Sequence, residues 1–262
     1  FAARLWWLLR WLGHTRVAVL DGGLQAWTSS GKPIDTAIPE PVACHFEAKL
    51  QRDMKVNADY VLSHLDDPEV LIIDARAPDR FRGENETLDP VGGHIPGAIN
   101  APYGKWRGPA SNPGDLPALP QLTQLVQSLG LSPDSHAVVV SSGADTTDFG
   151  SAARVYWTLK VLGVQQLSVL NGGMQAWASA KLPQDNVVPQ ITASKFTPTL
   201  DKRYIATRDE VAEKVKSGNA LLVDARPAAF FQGETKHAAA KQAGISRSAF
   251  YKYKDTVFDA ET

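Results

Sequence analysis

The sequence has little cysteine, no long hydrophobic run and almost no net charge. Its 262 residues include one cysteine, Cys44. This count excludes an intrachain disulfide and a multi-cysteine zinc or iron–sulfur site, and it leaves a thiol enzyme only that residue. No apolar run reaches the ~18–20 residues that span a bilayer, so no membrane segment is predicted. Lys and Arg total 27 against 28 Asp and Glu, which excludes a surface built as a whole for nucleic acid or acidic lipid.

Hydrophobic residues make up 44% of the chain, which is enough for a sizeable core. We expect a soluble protein, cytoplasmic or periplasmic, and the sequence does not indicate which of the two compartments. The six histidines are scattered without metal-ligand spacing, so we expect neither a metal nor another cofactor. The apolar segment Leu5–Leu12 could pass for a secretory leader, but no cleavage site follows it. Because the chain begins at Phe1, inside a helical pattern, we expect it to be part of a longer protein.

Three segments of the chain recur at an offset of 150 residues. AARLWWLLRWLG (Ala2–Gly13) returns as AARVYWTLKVLG (Ala152–Gly163), and LIIDARAPDRFRGE (Leu71–Glu84) returns as LLVDARPAAFFQGE (Leu221–Glu234). VLDGGLQAW returns as VLNGGMQAW. A period this long is a whole domain rather than a solenoid repeat. The predicted division is the end of one unit (1–35), a linker (36–50), a complete unit (51–183), a second linker (184–199) and the start of a further unit (200–262).

Within the complete unit, strands and helices alternate along the chain. The apolar patterns predict strands at Val70–Asp74, Ala137–Ser141 and Leu167–Leu170, and helices at Val56–Leu65, Leu119–Leu129 and Ser151–Leu162. Strands that are continuously apolar and joined by helices favour a parallel sheet covered on both faces. Functional sites of such sheets lie at the carboxyl ends of the strands.

The order of these motifs resembles the rhodanese sulfurtransferases. The resemblance is carried by the DAR segments, by GHIPGAINAP (Gly93–Pro102), by VVVSS and the polar loop after it, and by the two VL[DN]GG segments. It implies an α/β fold, a rhodanese-like parallel sheet with helices on both faces, in one complete unit flanked by two partial repeats. It also implies a cysteine that moves sulfane sulfur from thiosulfate or 3-mercaptopyruvate to a thiophilic acceptor. The partners would be a small sulfur-containing anion or a thiol acceptor.

Serine stands where the family carries its cysteine. The loop SSGADTTDFG (Ser141–Gly150) follows a buried strand and precedes a helix, and Ser142 matches the family's nucleophile. A serine cannot carry a persulfide, so we assign no catalytic residue and expect this chain alone to be inactive. Ser142 could be a nucleophile in its own right, but a polar residue capping the next helix is favoured.

The other residues of the loop favour opposite predictions about anion binding. The backbone N–H groups after Ser142, at Gly143 and up to Gly150, together with the helix start, predict an anion cradle that does not depend on the missing thiol. The charges of Asp145 and Asp148 would oppose an anionic substrate there.

Three further side chains are candidates for chemistry. Arg80 matches the family's arginine that binds the anionic end of the substrate, although an ion pair with Glu84 or Asp79 is an equally good interpretation. Arg82 is a weaker candidate for the same role. Cys44, whose repeat partner is Ser194, is predicted to be a partly buried linker residue without a catalytic role.

Two classes of function therefore stay open. The first is a rhodanese-family sulfurtransferase whose persulfide cysteine is not present in this chain, and the second is a non-catalytic interaction or scaffold module. A minor third possibility is DNA binding, because residues 238–254 resemble a helix-turn-helix with Gly244 at the turn and Ser246 capping the second helix. Nucleic acid is otherwise not favoured as a partner.

Overall fold

The computed structural model describes residues 1–35, 37, 40, 43–84, 92–145 and 147–231. The strands are β1 (Val19–Leu20), β2 (Lys55–Val56), β3 (Val70–Asp74), β4 (Ile99–Asn100), β5 (His136–Val140), β6 (Gln166–Leu170) and β7 (Ile205–Ala206). The α-helices are α1 (Ala2–Trp11), α2 (Gly23–Ser29), α3 (Ala58–Ser63), α4 (Pro78–Phe81), α5 (Leu119–Ser128), α6 (Phe149–Val161), α7 (Gly173–Ser179), α8 (Arg208–Lys216) and α9 (Ala228–Phe231). None of the helices in these ranges is long and apolar enough to cross a membrane.

Five strands form one parallel sheet in the order β2-β6-β5-β3-β4. The central strand β5 pairs with β3 over its full length, from Val70 opposite His136 to Asp74 opposite Val140. The predicted parallel sheet is confirmed, and the predicted strand Val70–Asp74 has the observed bounds. All the carboxyl ends of the sheet consequently lie at one edge, where the loops after β3, β5 and β6 meet.

Helices cover both faces of this sheet, because most of the buried strand residues on either face are apolar. On β5, Ala137 and Val139 face the core that contains α1, α5 and α6, whereas Val138 and Val140 face the core that contains α3, α4 and α7. Trp157 of α6 and Trp177 of α7 are each fully buried. The tryptophans that recur in the sequence are therefore core residues, as their apolar helical spacing predicts.

The N-terminal segment packs against the complete unit through aromatic side chains. Trp6, Trp7 and Trp11 of α1 are buried in the same core as α6. The ring of Trp7 lies edge-on to Phe149 with 4.8 Å between centroids, and that of Trp6 lies 6.3 Å from Tyr156. The first segment therefore covers the apolar face of α6.

The segments outside the complete unit differ from expectation in two respects. Cys44 is exposed in the linker, so the prediction of partial burial was wrong. Leu221–Val223, the repeat partners of β3, form no strand. In the complete unit β3 lies between β4 and β5, and the described residues provide neither neighbour for the later segment. Residues 238–254, with the predicted helix-turn-helix, lie outside the described residues.

His136 joins three elements at the amino end of the sheet. Its Nε2 lies 2.9 Å from the Ser168 hydroxyl, which itself donates to the Asp53 carbonyl oxygen at 2.6 Å. The Ser168 hydroxyl must therefore accept from Nε2–H, and the Nδ1 atom is left to accept from the Tyr60 hydroxyl at 2.9 Å. Burial, followed by the charge of His64, lowers the pKa of His136.

We expect acid to weaken the fold through His136. Its folded pKa is below the unfolded value of about 6.5, so the unfolded chain takes up the proton first. The stability is complete above that value and is lost as the pH falls through the folded pKa. Thermal unfolding between pH 7 and pH 5 should show a larger fall in Tm for the parent chain than for His136→Gln. The control is His45→Gln in the exposed linker, and an equal fall in all three proteins would contradict the assignment.

Candidate functional site

The loop after β5 is held against the start of α7. The backbone N–H groups of Met174 and Gln175 donate to the carbonyl oxygens of Ser141 and Ser142, both at 2.9 Å. Gly143 has φ +78°, and a Cβ there would overlap the carbonyl oxygen of Gly172. Only glycine allows this approach, so the beginning of the loop is fixed by backbone contacts.

Arg80 reaches the same loop from α4. Its Nη2 donates to the Ser142 Oγ at 2.5 Å, across 62 positions in the sequence, and Ser142 is only 3% exposed. The structure thus brings together the two residues that match the family's substrate-binding arginine and its nucleophile. The prediction that Ser142 caps the following helix was wrong, because Asp148 occupies the N-cap position of α6.

The two loop carboxylates bind the loop's own N–H groups. Asp148 Oδ2 accepts from the backbone N–H of Ala144 at 2.9 Å, and Asp145 Oδ1 accepts from the N–H groups of Thr147 at 2.5 Å and Asp148 at 3.1 Å. The Thr147 hydroxyl also donates to Asp145 at 2.6 Å. Part of the expected cradle is therefore not available to an anion, because the carboxylates that were expected to repel it accept from the N–H groups of Ala144, Thr147 and Asp148. Gly150 lies in the first turn of α6, and its N–H donates to the Thr147 carbonyl oxygen.

The electrostatics of the loop follow from these bonds. The Thr147 hydroxyl and backbone N–H hold the pKa of Asp145 below its usual value, so this carboxylate stays ionised through the neutral range. Arg4 adds a positive charge that also lowers the pKa of Asp145. A small anion approaching the loop would meet two carboxylates and N–H groups that already bind them.

The partner that the structure shows for the Ser142 hydroxyl is Arg80, which is not a base. The guanidinium of Arg80 is protonated and has no lone pair with which to take the hydroxyl proton. The buried histidines are engaged elsewhere, since His94 Nδ1 bonds the Phe81 carbonyl oxygen and His136 bonds Tyr60 and Ser168. The arrangement can orient a group at position 142, but it does not activate a hydroxyl.

Arg82 does not join this arrangement. Both of its bonding nitrogens donate to Glu84 at 2.7 Å, in an exposed ion pair that lowers the pKa of the Glu84 carboxyl. The ion pair that was weighed for Arg80 and Glu84 is thus formed by Arg82. Within the described residues, no hydrogen bond links Arg82 to the loop after β5.

A buried ion pair lies at the end of β3, just before the helix that carries Arg80. Arg76 Nη2 donates to Asp74 Oδ2 at 2.6 Å and to the Gly93 carbonyl oxygen at 2.9 Å, and both charged side chains are 1% exposed. The pair ties β3, and with it the start of α4 that carries Arg80, to the turn that precedes β4.

Sequence reasoning missed two contributors to the loop. Thr147 binds Asp145 by two groups, and Gly172 and Gly173 form the surface on which Ser141–Gly143 lies. A signal for the glycines was present, since the GG pair recurs after both strands that end in VL. No comparable signal marks Thr147.

Comparison with known proteins gives a consistent result. The family model described as "Rhodanese-like domain" matches residues 57–180. The 3-mercaptopyruvate sulfurtransferase of Escherichia coli is 30% identical over 181 residues, and the thiosulfate sulfurtransferase of Azotobacter vinelandii is 28% identical over 179. Each alignment covers 68% of this chain and 63% of the relative, so the chain spans less than two thirds of their length.

Solved structures show the same fold. The crystal structure of the Escherichia coli 3-mercaptopyruvate sulfurtransferase gives a TM-score of 0.56 at 29% identity, covering 68% of this chain and 67% of that one. The anaerobic ergothioneine biosynthesis enzyme of Chlorobium limicola gives 0.61 at 22% identity, covering 72% of this chain and 45% of that one. At that identity the second likeness concerns the fold alone.

Proposed function

Residues 57–180 of this chain are a rhodanese-like domain of the sulfurtransferase family, and we propose that the domain is a unit of such an enzyme that does not itself form the persulfide. The reaction of the whole enzyme would move sulfane sulfur from thiosulfate or 3-mercaptopyruvate to a thiophilic acceptor. In this proposal, position 142 is that of the family's nucleophile, and serine there removes the sulfur chemistry from this unit.

The contact between Arg80 and Ser142 carries the proposal. In a cysteine-bearing unit, the thiolate attacks the outer sulfur of thiosulfate, the sulfur–sulfur bond breaks and sulfite leaves. An arginine beside the nucleophile binds the anionic group of the donor and stabilises the thiolate. Here Arg80 stands in that place, 2.5 Å from an oxygen that cannot form the persulfide.

The alternative role is that of a non-catalytic interaction or scaffold module. It is favoured by the carboxylates of Asp145 and Asp148, because they give the loop its shape without a bound anion. In both roles the complete unit is inactive by itself. They differ in whether a cysteine-bearing unit works beside it.

Incubation with thiosulfate and cyanide tests the proposal. We expect the chain to form no thiocyanate above the uncatalysed rate, and we expect Cys44→Ser and Ser142→Ala to leave that result unchanged. Cys44 is exposed in the linker and is not part of the loop after β5. Thiocyanate formation that disappears in Cys44→Ser would assign the chemistry to the linker thiol, and formation that disappears in Ser142→Ala would assign it to the loop.

A further inference from the structure

A cleft of about 350 Å³ lies between the end of α1 and the first elements of the complete unit. It is lined by Trp11 of α1, by Leu50 at the end of the linker, by residues at and around β2, and by Asn171 after β6. None of the described residues that line it belongs to the loop after β5. The volume falls within the roughly 300–1,000 Å³ of clefts that hold small molecules. The cleft is therefore a candidate ligand site with a lining different from that of the site around Ser142.

The charged side chains that line this cleft are basic. Arg52 and Lys55 both belong to the lining, and the described lining residues include no Asp or Glu. The acidic residues nearest to them in the sequence, Asp53 and Asp59, do not line the cleft. Because two cations face the same small volume, the lining attracts an anion.

Aromatic rings and carboxamides form much of the rest of the lining. The Lys55 ammonium lies 5.0 Å from the centre of the Trp11 ring, so the buried tryptophan positions this cation. Asn57 Oδ1 accepts from the Tyr60 N–H at 3.0 Å, and its NH2 group is thereby the part of the amide that can donate to a ligand. The backbone N–H of Asn171 donates to the last residue of β2 at 2.9 Å and holds its exposed side chain at the cleft. The lining thus combines hydrogen-bond donors with the flat surface of an aromatic ring.

The 150-residue repeat shows that the backbone does not require these side chains. Strand β1 pairs with β7 in the register in which β6 pairs with β2, since Val19 opposite Ile205 corresponds to Val169 opposite Lys55. The repeat partners of Trp11, Arg52, Lys55, Tyr60 and Asn171 are Val161, Lys202, Ile205, Glu210 and Asp21. The positions that correspond to the cleft therefore carry two acids, one cation and no aromatic ring. The same strand pairing forms without the aromatic and basic lining, which indicates that this lining serves a ligand.

We propose that the cleft binds a small aromatic carboxylate. The carboxylate accepts charge-assisted hydrogen bonds from Arg52 and Lys55, and the amide of Asn171 donates to it at the rim. The ring of the ligand packs against Tyr60 and the partly buried side chain of Val56. This binding needs no sulfur chemistry, so it goes beyond the function proposed above and does not depend on it.

Titration of the chain with benzoate, followed by NMR of its amide groups, tests the proposal. We expect saturable shifts of the side-chain NH2 signals of Asn57 and Asn171. Acetate has the charge without the ring and benzamide has the ring without the charge, so each should bind about tenfold more weakly than benzoate. Absence of saturable shifts at these two amides would overturn the proposal, and so would acetate or benzamide binding as tightly as benzoate.

Variants of the two cations locate the binding site. Lys55→Ile introduces the residue that β7 carries at the repeat position, so we expect β2 to form and the affinity for benzoate to fall about tenfold. Arg52→Gln, at an exposed position, should weaken binding in the same way. Lys202→Gln is the matched control, because Lys202 is the repeat partner of Arg52 and lies outside the cleft. Thermal unfolding verifies that each variant is folded, and equal affinities in Lys55→Ile, Arg52→Gln and Lys202→Gln would contradict the proposed site.

Discussion

Ser142→Cys combined with Asp145→Asn and Asp148→Asn is expected to form a persulfide from thiosulfate about tenfold faster, or more, than Ser142→Cys alone. Arg80 already lies against position 142, so the new thiolate and the donor's anionic end would share that guanidinium. The two carboxylates oppose both anions, and Asn removes their charge. Asn also keeps the side-chain oxygen that accepts from Ala144 and Thr147, so the loop retains its bonds.

The thiol itself gives the first measurement. Titration of thiolate absorbance should show a pKa below the free value of about 8.5 in the triple variant, and a higher pKa in Ser142→Cys alone. Mass spectrometry after one turnover with thiosulfate then measures the persulfide. Adding Arg80→Leu to the triple variant should abolish the gain. A thiol pKa at or above the free value, unchanged by the two Asn substitutions, would show that Arg80 does not stabilise an anion at position 142.

Asp74→Ala is expected to lower the free energy of unfolding by about 3–5 kcal/mol, because it leaves the buried guanidinium of Arg76 without its counter-charge. Both side chains of the pair are 1% exposed, and the same arginine holds the turn before β4. Asp74 also accepts from the Arg76 backbone N–H at 2.9 Å, and this bond is lost with it. Urea unfolding followed by circular dichroism measures the change.

The repeat provides the matched control for this prediction. Asp224 and Arg226 form the same pair, also at 2.6 Å, but their side chains are 26% and 35% exposed. Asp224→Ala should cost at most about 1 kcal/mol, as exposed pairs do. Equal losses in the two variants would mean that the pairing geometry, and not its burial, determines the contribution.

The sequence predicted the sheet because its strands carry continuous apolar runs that end at or just before a polar residue. Val70–Asp74 is the plainest case, and α5, predicted as Leu119–Leu129, ends one residue earlier. The 150-residue repeat predicts the division into units from the sequence alone. These features depend on local composition, which a single sequence contains.

The details of the site depend on geometry that local composition does not contain. Asp145 and Asp148 are read as repelling charges in the sequence, and only the turn of the loop brings their oxygens to its own N–H groups. The sequence alone could not decide whether Ser142 contacts Arg80 or caps a helix, because the answer depends on where α4 lies. Likewise, the exposure of Leu221–Val223 results from missing neighbours in the described residues, and an isolated apolar run gives no sign of that.

The tryptophans of α1 show that the folded core extends beyond the boundary of the repeat. By its repeats the complete unit begins near residue 51, yet Trp6, Trp7 and Trp11 fill the core beside α6. A protein trimmed at the repeat boundary would expose that aromatic surface of α6 to water, and we expect it to aggregate or to recruit a substitute helix. The repeat boundary therefore lies near residue 51, whereas cooperative unfolding should involve α1 and the complete unit as a single body.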